Sequence, residues 1–242
     1  MTASSAISPQ TARQATLEGI VSLLRSQQPR KVDVVAPATA IRAHAGSLIL
    51  NRTVPQITAD GVTMATGSYR PTAVFDEGIA DKLGIPAAYL RRMREADLGS
   101  LYDHNLNGWL ERDNRSFLVR CLLGDGGHGI ARAFLSDRFQ VIDHLDTLFA
   151  VLDGMRACGY PVQVDSCDLT ERRLYVRVHC EAVRVLAPQL LADYRSPFTG
   201  RSGADNPVVF AGFVVTNSET GCGACSITPR LVAQVCDNGM TI

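Results

Sequence analysis

The sequence predicts an α+β protein: mainly antiparallel sheet built from hairpins and packed against helices, with an N-terminal helical region. Three observations predict it. Apolar residues recur at helical spacing near residue 20, across 75–110 and again near residue 150. From residue 115 onward, short apolar runs of strand type replace them, bounded by Gly, Pro and Asp-rich turns. These strand runs follow one another with turns rather than alternating one-to-one with helices, which is the pattern of α+β rather than of parallel α/β chains.

Each element has a local reason. Ser8-Pro9 offers an N-cap followed by proline at a first helical position, and Leu17, Ile20, Val21 and Leu24 extend it as a helix to about Gln28. Residues 32–70 read as short strands, with the best run near Ser47–Arg52 and turns at Asp60-Gly61 and Gly67. Phe75–Leu83 reads as a helix closed by Gly84, Pro86 opens the next one over Ala87–Ala96, and a third covers Leu98–Leu110 with the single tryptophan, Trp109. Ser116–Leu123 and Ile130–Leu135 form a hairpin around Gly124–Gly129. Leu145, Leu148, Phe149, Leu152 and Met155 mark an amphipathic helix ending near Gly159. Val162–Val164 pairs with Leu174–Val178, residues 195–207 read as a loop, and Val208–Thr216 and Cys225–Thr228 read as strands. Residues 1–30 are thus a tail and helix, and 31–242 one α+β domain. Leu231–Cys236 looks like the start of an apolar helix, so the stop at Ile242 reads as a domain cut short.

Composition narrows the function classes. With 46 % hydrophobic and 20 % charged residues the chain is of ordinary globular type. Its apolar runs are too short for a membrane span, and MTASSAISPQ lacks the basic-then-apolar order of a signal peptide, so a cytoplasmic location without a membrane partner is expected. Seven cysteines, an odd number, sit mostly in apolar segments and predict reduced thiols. All basic residues but Lys31 and Lys82 are arginine, while the net charge is zero, which weighs against a strongly basic nucleic-acid binder without excluding a local groove.

The local motifs point to no known chemistry. Gly124–Gly129 is followed by Ile130 instead of the Lys and Ser/Thr of a phosphate loop, and it joins two strands where an anion site needs a helix start. Cys222-Gly-Ala-Cys225 has zinc or redox spacing, but only Cys236 lies near as a further ligand, and no metal is expected. Asp143, His144 and Asp146 sit where a helix begins, and the two acids read as N-terminal cap and dipole partners rather than as a metal site. HExxH, GxSxG, GxGxxG after a strand and an EF-hand loop are all missing, so no catalytic residue and no cofactor is assigned.

The arginines are the remaining lead. Arg115 and Arg120 lie on or beside one hairpin strand, Arg132 and Arg138 on or just after the other, and Arg172, Arg173 and Arg177 mark a second strand pair. Same-face residues recur every two positions in a strand, so paired strands can align guanidiniums in a row that follows a nucleic-acid backbone, with Phe117, Phe134, Phe139 or Tyr175 available to stack on bases. The competing reading is salt bridging to Asp137, Asp165, Asp168 and Glu171, with the aromatics in the core.

Several motifs occur together in order: Asn114–Arg120, Ala131–Phe139, Gly212–Gly221, Ser226–Pro229 and Val235–Met240. In these the chain resembles the phage/plasmid-like protein family, a domain family of phages, prophages and plasmids, over roughly residues 30–242. The resemblance implies a mobile-element setting and no assigned activity; the family pattern usually lacks cysteine where Cys222 and Cys225 stand, and its members tend to continue further. Fold-level analogy to single-strand annealing proteins then gives the leading expectation. It is a single-stranded DNA-binding or annealing protein of recombination or replication, with a homo-oligomer as the expected form, using the seven arginines and no covalent step. The alternatives are an enzyme with a site assembled from distant polar residues, Asp137, Arg138, Asn217 and Glu219, or a non-catalytic interaction protein.

Overall fold

The computed structural model, which describes residues 11–50, 56–58, 61–63, 66–124, 128–159, 161–186, 189, 192–195, 200, 202 and 208–233, pairs their strands into a six-stranded sheet, a five-stranded sheet and a separate two-stranded pair. The chain forms two units: Ser22–Val141 with Glu219–Cys222 make up the described body of the first, and Ala12–Val21 with Ile142–Ser218 and the chain from Gly223 make up the second. Ser8-Pro9, the middle of the Gly124–Gly129 turn, most of the 195–207 loop and Val235–Met240 lie outside the described residues.

The described chain opens with strand β1 (Ala12–Ala15) and helix α1 (Leu17–Gln27). The expected N-terminal helical region is therefore a strand and one eleven-residue helix. The reason is local: Thr16 Oγ1 accepts from the Gly19 N–H at 3.2 Å and starts the helix there, leaving Ala12–Ala15 to pair as a short strand interrupted at Gln14, whose φ is 48°.

In the first unit, β2 (Lys31–Pro37), β3 (Ile41–His44), β4 (Ser47–Leu50), β7 (Gly67–Pro71), β8 (Ser116–Leu123) and β9 (His128–Ser136) form a six-stranded sheet in the order β2-β8-β9-β7-β4-β3, while β5 (Gln56–Thr58) and β6 (Gly61–Thr63) pair separately. All its described pairings are antiparallel except β7 with β9. The alternation in Lys-Val-Asp-Val-Val-Ala puts Val32, Val34 and Ala36 into the main core and Lys31 and Asp33 on the other face. Helices α2 (Ala73–Leu83), α3 (Ala87–Glu95) and α4 (Gly99–Leu110) supply Phe75, Ile79, Leu90, Met93, Tyr102 and Leu106 to that core. Thr72 caps α2 by accepting from the Phe75 N–H, and Gly84, at φ 68°, closes it as its sequence position predicts. The second face holds a small cluster of Leu118, Ala133 and Leu135 with Phe139.

In the second unit, β1 joins β10 (Val162–Leu169), β11 (Leu174–Leu186), β12 (Val208–Asn217) and β13 (Ser226–Ala233) in an antiparallel sheet whose order is β1-β10-β11-β12-β13. Leu174, Val176, Val178 and Cys180 are buried on one face, and Tyr175, Arg177 and His179 alternate onto the other. That other face is polar: Arg177 donates to Asp168 at 2.7 Å, and Asp165 pairs with both His179 and Arg230. Antiparallel sheets commonly keep one such solvated face. Helix α5 (His144–Ala157) completes the unit, burying His144, Thr147 and Leu148. Among the described residues no helix is long and apolar enough to cross a membrane.

The β1–β10 pairing depends on Asp168, whose Oδ1 accepts from the Gln14 N–H at 2.7 Å. That backbone hydrogen bond, followed by the bond and charge of Arg177, holds the Asp168 carboxyl below the ordinary carboxylate range. A depressed acid stabilises the fold fully above the unfolded value, near pH 4, and loses that contribution as pH falls through the lower folded one. Acidification below about pH 4 is therefore expected to loosen β1 first, read as faster amide exchange at Ala12 and Ala15. Asp168→Asn should give the looser strand at neutral pH and flatten its acid dependence.

Candidate functional site

The arginine row does not assemble as one exposed stripe in either unit. Arg120 is only 1 % exposed: its Nε and Nη2 meet both carboxylate oxygens of Asp33 at 2.8 Å, and its Nη1 donates to the Glu219 carbonyl at 2.8 Å. Register explains the pairing, because Asp33 stands directly opposite Arg120 across β2 and β8. Arg132, beside the bulge between β8 and β9, donates to Glu219 Oε2 at 2.7 Å, and Lys31 Nζ donates to Oε1 at 2.7 Å. Glu219 itself is 1 % exposed. Three cations and two carboxylates thus form a charge cage on the second face of the first sheet.

The other arginines are placed individually. Arg115 clamps Asp113, donates to the Lys82 carbonyl at 2.7 Å and lies over the Phe117 ring. Arg138 and Asp137 are exposed after β9, where Ser136 Oγ donates to Asp137. Arg177 is taken up by Asp168 and Ser166. Arg172 and Arg173 sit in the β10–β11 turn, the first accepting from Ser218 Oγ through its carbonyl, the second with its guanidinium against Gly223. Salt bridges hold Arg115, Arg120, Arg132 and Arg177. Phe117 and Phe134 are core residues.

The four distant polar residues do not gather at one site: Asp137 and the Arg138 N–H share the Ser136 hydroxyl, while Asn217 and Glu219 are held elsewhere. Glu219 closes the charge cage, Asn217 Nδ2 donates to the Ile142 carbonyl at 2.8 Å beside His144, and Asp137 faces Ser136. Asn217 and His144 fix the start of α5 against the end of β12, a positioning role. Among the described residues no group of three or more His, Cys, Asp and Glu is arranged to hold a metal ion. A small polar pocket of about 250 Å³ is bounded by Ser47, Arg70 and Arg94, but Arg94 is already held by Asp76, by the Gly46 carbonyl and over the Tyr102 ring.

The feature that spacing missed lies in the second unit. Between α5 and its sheet runs a groove of about 620 Å³. Ala150, Val151 and Met155 wall it from the helix, Val162, Phe213 and Val215 floor it from the sheet, and Ile227 borders it on β13. Asp146, exposed in the first turn of α5, is the one charged residue of that lining among the described residues. Of the predicted stripe Leu145, Leu148, Phe149, Leu152 and Met155, it is Met155 that borders the groove, while Leu148 is fully buried and Phe149 is 36 % exposed. A readable signal existed in Ile227, Pro229 and Leu231, apolar at every second position of an edge strand and all exposed.

Cys158 and Cys225 both line the groove and are exposed, whereas Cys121 and Cys167 are buried. Burial pushes the Cys167 thiol up to about 11 and the Cys121 thiol higher still. A thiol reagent at pH 8 is expected to modify Cys158 and Cys225 in the native protein and to spare Cys121 and Cys167 until denaturant is added, read by peptide mass spectrometry.

Sheet and helix of the second unit together present an open apolar groove on an antiparallel scaffold. Comparison with protein-family models, with curated proteins and with solved structures returns no match in any of the three.

Proposed function

We propose that the chain is a non-catalytic binding protein whose working surface is the apolar groove of the second unit, in a phage, prophage or plasmid setting. One observation carries the first part: a groove of about 620 Å³ floored by Val162, Phe213 and Val215 with a single charged residue, Asp146, at its edge. Apolar walls with few, placed polar groups are what ligand sites present. The groove thiols have no histidine or lysine beside them in the lining, so activated-thiol chemistry has no support there. The setting rests on the sequence motifs alone.

The test is a titration with the neutral apolar dye Nile red. Saturable fluorescence enhancement is expected, and Ile227→Asp should weaken it about tenfold, since that residue borders the groove yet is 65 % exposed and free to change without unfolding the sheet. A flat titration on folded protein removes the reading.

Single-stranded DNA binding is the second reading, and one observation in the first unit favours it. Trp109 is 51 % exposed on α4 and Tyr89 is exposed on α3, with Arg91, Arg92 and Arg112 exposed on or beside the same helices. Exposed rings among guanidiniums suit base stacking with phosphate neutralisation. Anisotropy of labelled single-stranded and duplex DNA across a salt series should then show a salt-sensitive preference for single strands that Trp109→Ala reduces; no binding at low salt removes this reading.

A further inference from the structure

We infer that the occupant of the groove is an amphipathic helix of a partner protein, laid beside α5 across β12 and β13 with basic residues against Asp146. This rests on the groove reading above and names its ligand.

Coverage argues for a helix. Five strands about 4.8 Å apart span about 19 Å, and one helix covers about 10 Å of that width. Among the described residues α5 is the one helix lying wholly in this unit. The uncovered part is visible: Ile227 is 65 % and Leu231 66 % exposed, on the same side of β13 as Val215 and Ala211, their partners on β12. Ile227 and Leu231 stand about 13 Å apart, the length of a helix of about nine residues. A small ligand filling the groove would leave Leu231, which does not border it, in water. A helix with apolar anchors at i, i+3/i+4 and i+7 covers both.

The edge disfavours an added strand, and the charge selects a basic helix. Pro229 stands in the middle of edge strand β13 and has no N–H to donate, so an added strand, including that of a second copy, is poorly served there. Asp153 on α5 is answered by Arg156, but Asp146 faces the groove with no cation in the lining. A Lys or Arg on the incoming helix complements it.

The experiment uses the whole protein and a labelled amphipathic peptide of about 14 residues containing only leucine and lysine at helical spacing. Its controls are a scrambled peptide of identical composition and a leucine/glutamate analogue. Saturable anisotropy is expected for the patterned Leu/Lys peptide, with both controls about tenfold weaker or worse. Leu231→Asp should weaken the peptide about tenfold while leaving Nile red binding intact. Asp146→Lys should reverse the preference between the lysine and glutamate peptides, and bound peptide should shield Cys158 and Cys225 from maleimide. If the scrambled peptide binds equally, or Leu231→Asp has no effect while Nile red still binds, the helix is overturned and the groove reading stands. If Nile red fails to bind, the groove reading falls with it. A concentration-dependent dimer by sedimentation that Leu231→Asp abolishes would assign the face to a second copy and overturn the partner helix.

Discussion

Glu219→Ala is expected to destabilise the protein by about 3–5 kcal/mol, a larger effect than any surface change in the chain. The wild-type carboxylate is buried and answers Lys31 and Arg132 at 2.7 Å each, while its own carbonyl accepts from Arg120. Removing it takes the carboxylate partner from Lys31 and Arg132, whose side chains are 7 % and 11 % exposed. Burying charge without its partner is the costly case, whereas replacing the whole set by apolar groups is near neutral or favourable. The combination Glu219→Leu, Lys31→Met and Arg132→Met should therefore recover much of what Glu219→Ala loses. Urea midpoints for the three proteins check this, with a shift of roughly 6–20 °C in the corresponding thermal midpoint. Equal loss in the single and the triple variant would mean that packing around Glu219, not its charge, holds the segment.

Gly129→Val should be comparably severe. Gly129 is buried in β9 between Leu123 on one side and Tyr69 on the other, in antiparallel and parallel register respectively. A Cβ there would overlap the Leu122 carbonyl oxygen and lie 2.8 Å from Tyr69 Cδ1. The obstacle on one side is backbone and on the other a fully buried ring, so neither can swing away. Overpacking of this kind costs about 1–3 kcal/mol or more, and valine adds two methyl groups to the collision. Expression with low soluble yield, or a lowered urea midpoint, is the expected result; wild-type stability would mean that β7 and β9 can separate at that point.

Gly129 also shows where reading the sequence stops. In the chain it belongs to a glycine-rich turn, and Ser116–Leu123, the capping of α2 at Gly84 and the opening of α3 after Pro86 all follow from neighbouring residues. Its actual role comes from Tyr69, sixty residues earlier, which no local pattern contains. The arginines repeat the lesson. Spacing places Arg120 and Arg132 on one face of a hairpin, and they are on one face, but Asp33 and Glu219 reach that face from distant strands and segments and take the charges inward. The N-terminus differs for a local reason that Ser8-Pro9 obscured, since Thr16 is the residue that caps the first helix. Less of the groove was legible: the α5 stripe contributes Met155 to it, and the β13 alternation shows which side is apolar and not whether anything covers it.

The charge cage carries a consequence for synthesis. Its cations lie at residues 31, 120 and 132, and the acid that closes it arrives only with Glu219, some eighty residues after the first unit's continuous stretch ends at Val141. At about 5–20 residues per second a ribosome needs roughly 4–16 s to cover that interval. Throughout it the nascent first unit lacks the carboxylate that Lys31 and Arg132 meet and the carbonyl that Arg120 meets. The last step of its maturation is thus the docking of a four-residue segment, Glu219–Cys222, made after most of the second unit has emerged, which ties completion of the early half of the polypeptide to elongation of the late half.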